Sequence, residues 1–256
     1  MNQSPRAARS GLSVLSLRFQ IIDDRPDWPV VSILVDGQDP FAAAKPGWRG
    51  FVPQEILGPD SPMLPADLGR RVAVYCCSCG EPGCGAVAPV IVASPDKRRV
   101  SWVDFREYTG VFAGPVSNCM STGGGTADDD GGTPAGLPDV HFGRQQYVEE
   151  IQRASRDRSW ETSRRTTARL LYERLSPLGL VLPPDLTLAW VAPAWHADGV
   201  ALAFEHTTSG QPGIRQQMLW LTCTFNDPYQ AAADIAQRLL SMPPGEWAGS
   251  FGSRPA

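Results

Sequence analysis

The stretch RVAVYCCSCGEPGCGAVAPVIVASPDKRRVSWVDF, residues 71–105, contains three apolar runs separated by two polar turns. The runs 71–79, 84–93 and 100–105 are rich in valine and aromatic residues, which favour strands, while the glycine and proline between them favour turns. Apolar groups fall on both faces of the runs, as is typical of a sheet covered on both sides. The stretch therefore predicts an antiparallel β-meander.

The flanking sequence extends this prediction to an α+β fold. Alternating apolar residues at 15–21 and a second run at 30–35 predict a hairpin before the meander. After it, apolar spacing typical of helices begins at Arg144. Further on, three strands and a helix that begins after Asp227 predict a C-terminal βββα unit. The fold class is thus α+β, with an antiparallel β-meander module, following helices and the βββα unit.

Composition divides the chain into four segments. Residues 12–120 are predicted to form a β-rich domain that carries a cysteine hairpin, and residues 121–139 a disordered insertion rich in glycine and aspartate. Residues 140–242 are predicted to be the helical segment and βββα unit, packed on the first part as one globule. Residues 243–256 are predicted to be a loose tail, with Trp247 as a docking anchor.

Charge and hydropathy exclude several classes of partner. The 256 residues carry a net charge of -4 and give a pI near 5.4, which disfavours a protein that neutralises nucleic-acid phosphates. No apolar run reaches the roughly 18 residues of a transmembrane helix, and the first twenty residues lack the pattern of a secretion signal. We expect a cytoplasmic protein with no nucleic-acid or membrane partner, in which thiols stay reduced.

Four of the six cysteines lie within YCCSCGEPGCG, residues 75–85. Because side chains alternate along a strand, Cys77 and Cys79 are expected on one side and Cys76 on the other. The Pro-Gly pair that follows Glu81 fits a type II turn, which would bring Cys84 opposite Cys79.

Three interpretations of this hairpin remain open. The thiols are small buried structural groups, or Cys77, Cys79 and Cys84 bind a metal ion such as zinc, or they undergo redox chemistry. Zinc takes four ligands in a structural site, so a fourth would come from far away in the sequence. No lysine, arginine or histidine in the stretch would lower a thiol pKa. The distant soft groups are Cys119, Cys223, His141 and His196.

Other catalytic signals are weak. The chain has three histidines and lacks the nucleophile elbow, the zinc-protease helix motif and the phosphate-binding loop. Tryptophans on loops favour interfaces, so Trp28, Trp48 and Trp195 are candidates for partner binding. Trp190 and Trp220 are expected in the core.

An ordered set of motifs resembles a widespread group of uncharacterised bacterial proteins. That group carries C-x-C-G-x-x-G-C, then a V-x-W-x-D-F strand, then an F-x-x-x-Q-Y helix start. The resemblance covers about residues 72–151, implies a shared β-meander module and supplies no function; Cys76 and the glycine-rich insertion depart from it. The matching positions are Cys77, Cys79, Gly80, Gly83, Cys84, Trp102, Asp104, Phe105, Gln146 and Tyr147.

The sequence favours a non-catalytic cytoplasmic protein-interaction module over an enzyme. The alternative is a zinc- or thiol-dependent enzyme that uses Cys77, Cys79 and Cys84. Zinc is the one cofactor that the residues suggest, and another protein is the expected partner.

Overall fold

The structure, a computed structural model, describes residues 11–22, 25–58, 60–116, 131–182, 185–195, 198–206, 216–222, 226–251 and 253–255. The chain folds into two compact units, Met1–Trp160 and Glu161–Ala256. Antiparallel sheets and helices are combined in an α+β fold, as predicted. No helix in the described part is long and apolar enough to cross a bilayer.

The first unit contains a two-stranded sheet and a six-stranded sheet. In the larger sheet the strand order is β3-β5-β6-β7, with β4 also paired to β5 and β8 to β6. The helices are α1 (Pro53–Ile56) and α2 (Arg144–Arg156). The strands are β1 (Leu15–Gln20), β2 (Val30–Val35), β3 (Arg70–Arg71), β4 (Tyr75–Cys76), β5 (Ala86–Ala93), β6 (Arg99–Tyr108), β7 (Thr133–Pro134) and β8 (Val140–Gly143).

The predicted meander is present, but its first strand is divided into β3 and β4. The backbone between them still donates to β5, from Val72 N to Pro89 O at 3.0 Å and from Val74 N to Val87 O at 2.9 Å. Pro89 has no N–H to return, so the ladder loses one hydrogen bond at that point. The register also shifts by one residue between the Arg71–Val90 and Tyr75–Val87 pairs, so the break combines a missing donor with an irregularity in strand pairing.

A buried polar relay ties α2 to the sheet of the first unit. Trp102 Nε1 donates to the Tyr147 hydroxyl at 2.9 Å, and that hydroxyl donates to the Met63 carbonyl at 2.8 Å. The side chain of the neighbouring Gln146 accepts a hydrogen bond from Leu15 N at 3.1 Å and donates one to Leu15 O at 2.6 Å. It thereby pairs with the Leu15 backbone as an adjacent strand would. The W-x-D-F strand and the Q-Y helix start are thus in direct contact.

The described residues of the second unit form one antiparallel sheet and three α-helices. The helices are α3 (Ser163–Leu175), α4 (Pro228–Leu240) and α5 (Trp247–Phe251). The strands are β9 (Val181–Leu182), β10 (Leu186–Pro193), β11 (Gly199–His206), β12 (Gln216–Thr222) and β13 (Ser253–Pro255), in the sheet order β13-β12-β11-β10-β9. Asp227 caps α4 by accepting from the N–H groups of Tyr229 and Gln230, as the sequence predicts.

The tail, the insertion and Trp190 differ from what the sequence predicts. The segment from Pro244 is structured rather than loose, because Trp247 is buried and its Nε1 donates to Leu239 O and Met242 O at 3.0 and 3.1 Å. Part of the predicted insertion is ordered, since β7 pairs with β6, whereas residues 121–130 lie outside the described residues. Trp190 is 36% exposed rather than in the core, because the register of β10 shifts between Leu188 and Trp190.

Candidate metal centre

Residues 77–85 form the loop that joins β4 to β5, and we call it the cysteine loop. Cys77 N donates to Gly85 O at 3.0 Å, so the sheet ladder continues to the base of the loop. Two tight turns then follow, closed by hydrogen bonds from Gly80 N to Cys77 O at 2.9 Å and from Cys84 N to Glu81 O at 3.0 Å. These turns fold the loop back on itself and bring its cysteines together.

The sulfurs of Cys77, Cys79 and Cys84 all lie within 4.8 Å of one another. Cys79 and Cys84 are exposed, while Cys77 is half-buried. A tetrahedral ion with metal–sulfur bonds of about 2.3 Å requires sulfurs about 3.8 Å apart, so small side-chain rotations would be enough to close the site. Cys76, the last residue of β4, is buried in the core instead. The arrangement offers three thiolates to one ion.

The glycine that this geometry requires is Gly80, not Gly83. A type II turn needs a positive φ at its third residue, and Gly83 is not among the glycines with positive φ, so the predicted turn type is wrong. Gly80 has a φ of 86°, and a Cβ there would clash with the guanidinium of Arg49. Gly80 therefore lets the chain reverse between Cys79 and Glu81 while Arg49 lies against it.

Basic and aromatic side chains from residues 45–49 line the loop, which the sequence did not predict. The Arg49 backbone pairs with that of Cys76 through hydrogen bonds of 3.0 and 2.8 Å. The ring of Trp48 lies so close to Gly85 that a Cβ there would be 2.9 Å from it. Lys45 Nζ lies 4.8 Å from the centre of the Trp48 ring and 2.6 Å from Glu107. The cysteine loop thus borders a segment more than 25 residues earlier in the chain.

The thiols of the loop differ in acidity. The pKa of Cys79 is lowered by a hydrogen bond from Cys77 and another from the Glu81 backbone. The pKa of Cys84 is raised because its thiol bonds to Cys79 and because charge on Cys79 opposes a second negative charge. Burial raises the pKa of Cys76 from 9.0 to about 12. Charge on Cys79 therefore opposes ionisation of Cys84, and a cation bound between the sulfurs would remove that repulsion.

No fourth ligand joins the three sulfurs within the described residues. His141 lies in β8, exposed, with its Nδ1 at 2.8 Å from Ser101 Oγ, and is not part of the cluster. Three of the distant candidates, Cys119, Cys223 and His196, lie outside the described residues.

The three candidate interface tryptophans occupy different settings. Trp28 and Trp48 are half-buried, and Trp48 packs against the core of the first unit. Trp195 is 50% exposed in the second unit. Trp48 borders the cysteine loop.

Comparisons with protein-family models, curated proteins and solved structures found no match to the chain.

Proposed function

We propose that the protein is a non-catalytic, cytoplasmic protein-interaction module whose cysteine loop binds a metal ion through Cys77, Cys79 and Cys84. The observation that supports this most directly is the convergence of three sulfurs within 4.8 Å at the end of a hairpin. Thiolates are strong ligands for zinc and other soft ions, and a reducing compartment keeps them available.

A structural role for the ion is favoured over a catalytic one. Within the described residues, no histidine or carboxylate joins the cluster to act as a general base beside a metal-bound water. The loop itself contains few apolar groups and is held mainly by backbone hydrogen bonds. An ion present at a hundred times its dissociation constant would stabilise the folded chain by about 2.7 kcal/mol.

The surface beside the loop supports the interaction part of the proposal. Trp48 presents an aromatic ring between the loop and Lys45, and amphipathic rings of this kind are frequent in protein interfaces. A metal that fixes the loop would also fix the surface around Trp48. Trp28 and Trp195 remain further candidates for contact with a partner protein.

Metal content tests the proposal. The reduced full-length chain is loaded with zinc as a probe, passed through a desalting column and measured for metal per chain. We expect close to one equivalent, lost in Cys84→Ser, together with a lower melting temperature in that variant. Cys76→Ala is the matched control, because Cys76 is adjacent in sequence but outside the cluster, and it keeps the metal. A chain that binds no metal, with a melting temperature unchanged by serine at all three positions, would contradict the proposal.

A thiol- or zinc-dependent enzyme is the second candidate, favoured by one observation. Cys79 is exposed, its pKa is lowered, and it is hydrogen-bonded to a neighbouring thiol, which are properties of a nucleophilic cysteine. Alkylation of the metal-free chain with iodoacetamide would reveal it. Selective and rapid modification of Cys79, combined with unchanged folding in the metal-free state, favours the enzyme over the structural site.

A further inference from the structure

The donor set of the cysteine loop limits which ion fits it. All three ligand atoms that meet are sulfurs, and no histidine or carboxylate side chain joins them within the described residues. Thiolate ligands select soft ions such as monovalent copper, and zinc as well, whereas carboxylate, carbonyl and water oxygens suit harder ions. The first constraint is therefore one of chemical softness.

The number of donors is the second constraint. Zinc in a structural site takes four ligands, so three sulfurs leave one of its positions to water or another group. Monovalent copper and trivalent arsenic are both satisfied by three thiolates. The cysteine loop supplies that number from eight consecutive residues, so an ion of this class would need nothing from elsewhere in the chain.

Access and charge are compatible with such an ion. Cys79 and Cys84 are exposed, so the ion reaches the sulfurs from solvent without any opening of the core. The guanidinium of Arg49 lies against Gly80 within the loop and supplies positive charge beside a site that becomes anionic when three thiolates bind monovalent copper.

We propose that the cysteine loop is a site for a thiophilic ion that three thiolates satisfy, monovalent copper or trivalent arsenic, in preference to zinc. This rests on the proposed metal-binding function and names the class of ion. Copper binding releases the three thiol protons to solvent. Arsenous acid, As(OH)₃, exchanges its three hydroxyl groups for three sulfurs and releases three water molecules. Neither step changes an oxidation state.

Competition with a monothiol tests this inference on the reduced full-length chain under anaerobic conditions. Arsenite and monovalent copper are added separately in the presence of millimolar glutathione, and the ion retained per chain is measured. We expect three preorganised thiolates to hold their ion against glutathione. Folding has already ordered these ligands, so binding costs little further conformational entropy. We expect the chain to retain one equivalent of arsenic or of copper in at least one of the two experiments, and the ion that is retained is the one that the site prefers.

Single substitutions supply the decisive comparison. Cys77→Ser, Cys79→Ser and Cys84→Ser are each expected to lose the retained ion, while Cys76→Ala keeps it. X-ray absorption of the loaded chain is expected to show three sulfurs around the ion. Retention in any one of the three serine variants, or two sulfurs around copper, would overturn the inference, and melting curves identify any variant that fails to fold.

The outcomes also separate this inference from the proposed function. A chain that binds one equivalent of zinc but releases both arsenite and copper to glutathione keeps a metal-binding function and overturns the preference proposed here. A chain that retains none of the three ions overturns both.

Discussion

Gly80 is the residue whose backbone the cysteine loop depends on most. Its φ of 86° is readily adopted by glycine, and a side chain there would collide with Arg49. We predict that Gly80→Ala lowers the free energy of unfolding by about 1–3 kcal/mol. Because the turn that separates Cys79 from Glu81 would shift, we also expect metal affinity to fall by roughly tenfold or more. Urea unfolding of the wild type and of Gly80→Ala measures the change in stability, and zinc titration of both measures the change in affinity.

Gly83, three residues further on, is the matched control for this substitution. Its φ is not positive, and a Cβ there would lie 3.7 Å from Phe112 O, which is ordinary van der Waals contact. Gly83→Ala is therefore expected to leave metal affinity close to that of the wild type. Equal losses in both alanine variants would show that the loop does not depend on the conformation of Gly80.

Cys76 makes stability depend on alkaline pH. Burial raises its pKa from 9.0 to about 12, so the folded chain holds the neutral thiol while the unfolded chain loses the proton first. The stability linked to the neutral thiol is complete below the unfolded pKa of 9.0 and is lost as pH rises toward about 12. We predict that unfolding free energy falls across this window by up to about 1.4 kcal/mol per pH unit from this group.

Comparison with Cys76→Ala isolates this effect from other groups that ionise in the same range. At neutral pH the alanine variant is expected to be less stable by about 1 kcal/mol, since it leaves a small cavity. Denaturant unfolding of both proteins at increasing pH should show that difference closing and then reversing. A constant difference from pH 7 upward would mean that Cys76 does not remain neutral in the folded state.

Sequence reasoning located the cysteine cluster but not its surroundings. Cys76 lies apart from the other three thiols as expected, but β4 ends at Cys76, and two tight turns rather than strand alternation bring Cys77, Cys79 and Cys84 together. The approach of Arg49 and Trp48 depends on contacts between segments distant in sequence, which no local pattern encodes. Which of Gly80 and Gly83 adopts a positive φ could not be predicted either, because glycine is compatible with both backbone conformations.

At the level of elements, the strands were predicted more reliably than their interruptions. Apolar runs identified β5 and β6, because burial on a sheet selects such residues. The pairing of these strands shifts between Ala88 and Val90, so two residues of β6 lie opposite Pro89. Asp104 occupies this bulge with a φ of 48°. Bulges and register shifts of this kind, including the one that exposes Trp190, depend on how two strands pair. The residue pattern of one strand therefore does not predict them.

The bulge of β6 is held by charged groups around Asp104. Arg71 bonds its carboxylate at 2.6 Å and its carbonyl at 2.8 Å, and Arg106 bonds the carboxylate at 2.9 Å. Asp104→Ala would lose the bonds to the carboxylate and place alanine at a positive φ, which we expect to cost about 1–3 kcal/mol. Asp104→Asn loses the charge but tolerates that backbone, so we expect a smaller cost of about 0.5–1 kcal/mol. Thermal unfolding of both variants gives the comparison.

Acid pH provides a second readout for the same bulge. Hydrogen bonds from Arg71 and then Arg106 lower the pKa of Asp104. The stabilisation by the ion pairs of Asp104 is therefore present above the pKa of the unfolded chain, near 4. It is lost as pH falls through the pKa of the folded chain. The difference between wild type and Asp104→Asn should shrink at low pH. An unchanged difference would show that charge pairing does not stabilise the bulge.

At the scale of the whole molecule, the described residues form two hydrophobic clusters, one in each unit. The buried cluster of the first unit extends no further than Ala154, and that of the second begins at Ala168. All three cysteines of the cluster belong to the first unit. A unit of about 160 residues is long enough to bury a core of its own. The ligands for the ion and the core that positions them therefore lie within one part of the chain.

We predict that residues 1–160 alone bind the same ion, with the same stoichiometry, as the full chain. Trp247→Ala in the full chain tests this without truncation, because Trp247 is 1% exposed in the second core and its loss is expected to cost about 3–5 kcal/mol there. If the site is complete in the first unit, metal affinity stays constant while the second unit melts at lower temperature. If affinity instead falls in both the fragment and Trp247→Ala, the three cysteines of the first unit are not the complete site. The preference for three-thiolate ions would then fail while metal binding remained.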